Sequence, residues 1–254
     1  MQPLAAGLWP GDEGIMNGNA LNEWEVTGRA RTHVRQWWQP RFAAMPEAAD
    51  AFLAMREAAR VDGIDLLPCA SYRPFEAQLR NWNRKSTGDV PLHDIAGHAR
   101  DYAALTPIEL IYAIMGWTAL PGASRRHWGS DIDVFDRTAV PPGYRLKLLP
   151  EEVAQGGVFE RLHDWLDTNI AGFGFFRPYR TNRGGMYPAP WHLSHFASAQ
   201  RALAAIDIDL LTRVIRQADM SQRDLVLELL PEIFGRFVLN VDPPSHMHGY
   251  RIHR

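Results

Sequence analysis

Residues 124–133 read Ser-Arg-Arg-His-Trp-Gly-Ser-Asp-Ile-Asp, and no other stretch of the chain constrains its fold as tightly. Gly129 permits a tight turn, because a residue without a Cβ accepts backbone angles that others resist. Directly behind it, Asp131–Phe135 alternates acidic and apolar side chains, the period-two pattern of a half-buried strand. That pattern puts Asp131 and Asp133 on one face, and the turn lets His127 converge on them.

Around this run the elements are read from periodicity and end signals. From Pro46, the residues Ala48, Ala51, Phe52, Met55, Ala58 and Ala59 recur at helical spacing until Gly63 stops them. Ile64–Ala70 is a short apolar run, read as a buried strand, and the Ser71–Pro74 turn leads into a helix over Phe75–Lys85. Residues 86–105 read as loop. Thr106, Pro107 and Glu109 then supply an N-cap, a first-turn proline and acidic first-turn charge for a helix to Trp117, broken by Pro121 and Gly122. A further helix is predicted over Phe159–Ile170, with strands in Gly172–Phe176 and Trp191–Phe196. Helices follow from Ser198 to about Phe234, one of them capped by Ser221. Residues 1–40 show no sustained period and read as irregular wrapping with a short helix around Leu21–Ala30.

Strands and helices mix without strict alternation, which predicts an α+β fold. The expected organisation is an N-terminal wrap over residues 1–45, a core domain over 46–200 and a helical extension over 201–254 packed on that core. Hydrophobic residues make up 46% of the 254, enough to bury a sizeable core. Lys and Arg number 27 against 29 Asp and Glu, so there is no basic surplus for a phosphate backbone, and nucleic acid is excluded as a partner. No apolar run is long enough to span a bilayer, and Met1–Asn17 lacks the pattern of a secretory signal. As written the chain reads as cytoplasmic; if a longer natural chain was trimmed, it reads as periplasmic or cell-envelope. Cys69 is the single cysteine, and its apolar surroundings predict a buried, inert thiol.

Ten histidines are present, and most read as surface or hydrogen-bonded residues. His246, His248 and His253 read as a solvated tail, and His195 as a strand residue. His127 and His192 have the most suggestive neighbours. A hydrolytic zinc needs three protein ligands, an open position for water and a base to take the water's proton. His127, Asp133 and His192 can supply the three; the same residues also suit a turn with solvated charges. Trp117, Trp128, Trp165 and Trp191 read as core and cleft-wall residues, and no serine-peptidase motif is present.

Taken in order, the motifs resemble a known family. They are Ser71-Tyr72-Arg73-Pro74-Phe75 with Gln78, Leu120-Pro121-Gly122-Ala123-Ser124, and His127-Trp128-Gly129-Ser130-Asp131-Ile132-Asp133. Gly172 to Tyr179, Arg183-Gly184-Gly185 and Pro190-Trp191-His192-Leu193-Ser194 complete the set. Together they resemble the VanY-like zinc D-alanyl-D-alanine carboxypeptidases, over roughly residues 60–200. The resemblance implies an α+β domain with a small antiparallel sheet flanked by helices, zinc as cofactor, and a peptidoglycan-derived peptide ending in D-alanine as partner. It further implies zinc ligands at Asp133 and His192, and a substrate-binding, charge-stabilising role for Arg73. Ser71, Tyr72, Gln78, Ser124, Arg126, Trp128, Asp131 and Trp191 fall at substrate-binding positions.

Two positions depart from the family pattern. The first zinc-ligand position holds Arg126, one residue before His127, and the general-base position holds Ala189. Arginine is a permanent cation with no lone pair to offer a metal, and alanine cannot take a proton. Two functions follow. In one, a displaced His127 completes a zinc site, and Asp131, Glu76 or solvent stands in as base for an active metallopeptidase. In the other, Arg126 fills the metal position, pairs with Asp133 or a ligand carboxylate, and the cleft binds cell-wall peptides or a partner without hydrolysis.

Overall fold

The computed structural model describes residues 20–244, so the histidines at 246, 248 and 253 lie outside the described residues. Helix α1 (Glu23–Val26) opens with a capping box, in which Asn22 accepts from the backbone of Trp24 and Glu25 while Glu25 reaches back to the amide of Asn22. Next come strands β1 (Arg35–Trp38) and β2 (Arg41–Ala44), an antiparallel hairpin in register Arg35↔Ala44. This hairpin lies where irregular wrapping was expected. Its first strand is largely exposed and carries Arg-Gln-Trp-Trp, so no alternation announces it.

Helix α2 (Pro46–Val61) has proline in its first turn and buries Phe52, Met55 and Ala59. Strand β3 (Leu66–Ala70) follows, then helix α3 (Phe75–Ser86) and helix α4 (Pro107–Trp117), the last held by the reciprocal Thr106–Glu109 cap. A 3-10 turn over Arg125–Trp128 leads through Gly129 into strand β4 (Asp131–Asp136). Helix α5 (Glu160–Asn169), strands β5 (Phe175–Phe176) and β6 (His192–His195), and helix α6 (Phe196–Leu203) complete the region around the sheet. Helices α7 (Ile208–Gln217), α8 (Arg223–Glu228) and α9 (Leu230–Ile233) run into a final π-helical turn, Phe234–Leu239.

The main sheet is four-stranded and antiparallel, in the order β3-β4-β6-β5. The fold is therefore α+β, with a small antiparallel sheet flanked by helices. Apolar side chains from Leu21 to Val238 join one buried cluster, so the hairpin and the C-terminal helices share the core of the sheet. Among the described residues no helix is long and apolar enough to cross a membrane.

Two local expectations are corrected. Cys69 is exposed, because the β3–β4 register shifts between Pro68 and Ala70 and the strand bulges there. Ser221 does not cap α8: its amide donates to Asn83 Oδ1 at 2.9 Å, and its carbonyl accepts from Trp82 Nε1 at 3.0 Å. Ser221 therefore ties the C-terminal helices to α3, and Gln222 takes the cap position without a side-chain bond.

Gly129 is where the fold leaves least room. Its φ is +70°, and an added Cβ would collide with Val34 Cγ1 and approach the Met45 amide, which already donates to the Gly129 carbonyl at 2.8 Å. Gly129→Ala is expected to lower unfolding free energy by about 2 kcal/mol or more, from left-handed strain plus the clash. Urea denaturation checks this, and a variant as stable as the parent would contradict it.

Candidate functional site

The pleat of β4 places Asp131 and Asp133 on one face, and the register with β6 sets them opposite Ser194 and His192 respectively. All four side chains are buried. His192 Nδ1 lies 2.8 Å from Asp133 Oδ1, and His192 Nε2 lies 2.9 Å from Asp131 Oδ1. Carboxylate oxygens accept, so both ring nitrogens donate and the ring is an imidazolium. Burial opposes that charge, but the hydrogen bonds to Asp131 and Asp133 outweigh it and hold the pKa above its ordinary value.

The 3-10 turn supplies the counter-charges. Arg125 is buried and donates from Nε to Asp131 Oδ1 at 3.0 Å and from Nη2 to Ser194 Oγ at 2.7 Å. Its guanidinium lies over the Trp128 ring, 4.6 Å from the centroid. Arg126, the next residue, turns toward the open side and donates from Nη2 to Asp133 Oδ2. Burial works against ionising Asp131, yet Arg125 first and then His192 hold it down at about 2. Asp133 is likewise held below its ordinary value, by Arg126 and His192 against the cost of burial. Arg125, Arg126 and His192 thus close around two carboxylates with one positive charge to spare.

His127 takes no part in this network, which corrects its expected place among the metal ligands. It is fully buried, facing Gly28 and Phe75. Its Nδ1–H donates to the Arg73 carbonyl at 2.6 Å, and its Nε2 accepts the Gly122 amide at 3.1 Å. The bond that Nε2 accepts demands the neutral ring. Burial pushes its pKa down to about 4, with the Arg73 charge adding to the effect. The Arg73 amide in turn donates to the Arg126 carbonyl at 3.0 Å, so the turn holds the Arg73 backbone from both sides.

The residues present do not fit zinc. Both Asp133 oxygens already accept bonds, His192 has no free lone pair, and a guanidinium stands at the remaining position. Among the described residues no three His, Cys, Asp or Glu side chains are grouped to hold a metal ion. The stand-in bases fare no better: Asp131 is ion-paired, and Glu76 is exposed and outside the cleft.

Above the network lies a cleft of about 540 Å³. Arg73, Gln78, Ser124, Arg126 and Trp191 line it together with Asp133, Ala189 and His192. Four expected substrate contacts do not. The Ser71 hydroxyl accepts the Ala43 amide, and the Tyr72 hydroxyl donates to the Ala30 carbonyl. Trp128 and Asp131 are wholly buried beneath the site. His195 is the strand residue expected, its Nδ1 2.9 Å from Ser198 Oγ. Sequence reasoning missed Arg125 as a buried counter-ion and Lys85 as a lining residue. The signal for Lys85 was available, since Gln78, Asn81 and Lys85 follow at i, i+3 and i+7 on one face of α3.

The order in which these parts arrive, arginine before a helix, then turn, acidic strand and facing histidine, defines a carboxypeptidase-like α+β protein. The chain belongs to the VanY family of D-alanyl-D-alanine carboxypeptidases, whose model matches residues 42–198. It is similar to two uncharacterised proteins of Haemophilus influenzae. One is 29% identical over 122 residues, covering 47% of this chain and 93% of the relative, and the other 34% identical over 98 residues, covering 37% and 67%. Among solved structures it is similar to VanYB in complex with D-alanine-D-alanine, at 18% identity and TM-score 0.48, covering 75% of this chain and 92% of that one. It is also similar to the LdcB LD-carboxypeptidase, at 20% identity and TM-score 0.45, covering 77% and 70%.

The neutral His127 carries a pH signature. Its pKa lies near 6.5 in the unfolded chain and about 4 in the folded one, so acidification between those values protonates the unfolded state first. Its contribution to stability is expected to be complete above pH 6.5 and to fall by about 3 kcal/mol by pH 4. Nitrogen-15 spectra should show His127 as the Nδ1–H tautomer down to about pH 5; titration of this ring near 6.5 would refute the assignment.

Proposed function

We propose that this protein binds peptides ending in a D-alanine carboxylate and does not hydrolyse them. The observation that carries this reading is the closure of the metal position by the Arg126–Asp133 ion pair, with His192 held between Asp131 and Asp133. Ala189 lines the cleft at the position where the family pattern has its base, so no proton acceptor compensates there.

What the site retains is anion recognition. Arg73 donates only one side-chain bond among the described residues, from Nη1 to Gln78 Oε1 at 2.9 Å, and Gln78 is itself fixed by the Ala119 carbonyl. Its other donors are free for a carboxylate, which guanidinium binds in a bidentate fork. Burial, reinforced by the nearby Arg126 charge, brings Arg73 down to about 10, and a bound anion relieves both penalties. Trp117 and Trp191, stacked with centroids 6.3 Å apart, give the cleft an apolar wall for the peptide. D-alanine as the terminal residue is carried by family membership.

Calorimetry with a peptide ending in D-Ala-D-Ala is expected to show binding, and Arg73→Ala to weaken it about tenfold or more. No D-alanine should be released, with or without added zinc. Chelator-sensitive release of D-alanine by the parent protein would overturn the proposal in favour of an active peptidase. Arg126→His combined with Ala189→Glu is expected to raise zinc content from near zero to about one per chain by elemental analysis. If the double variant still excludes zinc, Arg126 is not what closes the site.

A further inference from the structure

The charges that line the cleft do not balance. Five Lys and Arg side chains face it against one carboxylate, Asp133. Three of the five have an acidic partner: Arg125 in Asp131, Arg126 in Asp133 and Lys147 in Glu151. Arg73 and Lys85 have no acidic partner among the described residues. Arg73 meets only the Gln78 amide, and Lys85 Nζ donates to Thr118 Oγ1 at 2.6 Å, a neutral hydroxyl.

These two cations stand on one continuous wall. Gln78, which holds Arg73, and Lys85 are seven residues apart on α3, two turns along the same face, or about 10 Å of helix rise. The wall between them is polar: Asn81 lines it, and Gln78 and Lys85 are tied to neighbouring residues at the end of α4, Ala119 and Thr118. Lys85 is only partly exposed. Burial first, and then the Arg73 charge, bring its ammonium down to about 8, the condition of a cation still lacking its anion.

We propose that Lys85 is a specificity residue, selecting peptides that carry a second carboxylate two residues ahead of the C-terminal one. The inference rests on the reading above, in which Arg73 takes the terminal carboxylate. An extended peptide advances about 3.4 Å per residue, so two residues and the reach of a glutamate side chain span the distance along α3. The second carboxylate meets Lys85 Nζ and forms a charge-assisted hydrogen bond where the protein offers only Thr118. Each of the two cations without an acidic partner is then met by a carboxylate, and a peptide with one carboxylate leaves Lys85 without one.

The experiment compares two pentapeptides ending in D-alanine that differ only by Glu or Gln at the third residue from the C-terminus. Both are titrated calorimetrically into the full chain. The Glu peptide is expected to bind the parent protein about tenfold more tightly. Lys85→Met, which keeps the apolar stem, should erase that difference, and Lys85→Arg should restore most of it. Equal affinity of the two peptides for the parent protein would overturn the inference, and this comparison needs no variant to fold. Equal weakening of both peptides by Lys85→Met would also overturn it, since that is what a structural prop for Thr118 predicts. If the Gln peptide binds and the Glu peptide gains nothing, the inference fails alone. If neither binds, the cleft reading falls with it.

Discussion

The imidazolium of His192, gripped by Asp131 and Asp133, is the interaction around which the rest is arranged. Charges cannot be buried singly: ionised groups removed from water must find partners or give up their charge. Two carboxylates on one face of β4 therefore require cations, and the fold provides three, His192 from β6 and Arg125 and Arg126 from the preceding turn. Such a network is weak evidence for stability as such, since well-packed apolar groups often serve as well. Breaking one member is another matter, at about 3–5 kcal/mol. Its retention at the floor of a cleft points to a role in what the cleft holds.

One short turn carries most of this arrangement. In a 3-10 geometry successive side chains point in different directions, so three consecutive residues serve three purposes. Arg125 reaches Asp131 and Ser194, Arg126 reaches Asp133, and His127 points away from both. His127 is the strut: its two neutral-ring bonds fix the Arg73 carbonyl and the Gly122 amide. The turn that carries the Arg126–Asp133 ion pair is thus the one that sets the backbone of Arg73. Gly129 ends it and joins it to the N-terminal hairpin through the Met45 amide, which explains why residues far upstream belong to the same core.

Much of this was legible in the sequence. Periodicity and caps gave α2, α3 and α4 nearly to the residue, and the Asp-apolar alternation gave β4. The Arg126–Asp133 pairing was one of two expected for Arg126, the other with a ligand carboxylate, once the family resemblance set Arg126 at a ligand position. What could not be read depended on three-dimensional neighbours. That His127 serves the backbone of Arg73, 54 residues away, has no local signal. Neither does the capture of Ser221 by α3, which overrides its capping propensity. Hairpin β1–β2 was hidden because neither strand alternates, β1 being largely exposed and β2 buried from Phe42 to Ala44, and Cys69 was misread because a bulge reverses the side-chain direction that alternation assumes.

The charge at the site suggests why its other features could persist. In the zinc arrangement that the family pattern implies, a dication beside one carboxylate and two neutral imidazoles leaves one positive charge. Here Arg126 and the imidazolium of His192 beside Asp133 leave one positive charge as well, with the excess carried by protons and a guanidinium. With no glutamate at position 189 to offset it, that positive charge is what the proposed reading leaves facing the cleft. On that reading a ligand carboxylate meets Arg126 and His192 on the floor of the cleft and Arg73 on its wall. Ala189 fits the same logic: a glutamate there would meet the spare positive charge of the floor and compete with the carboxylate proposed to bind. On the reading proposed above, Arg126 and Ala189 together keep a positive floor for a carboxylate and leave position 189 without a proton acceptor.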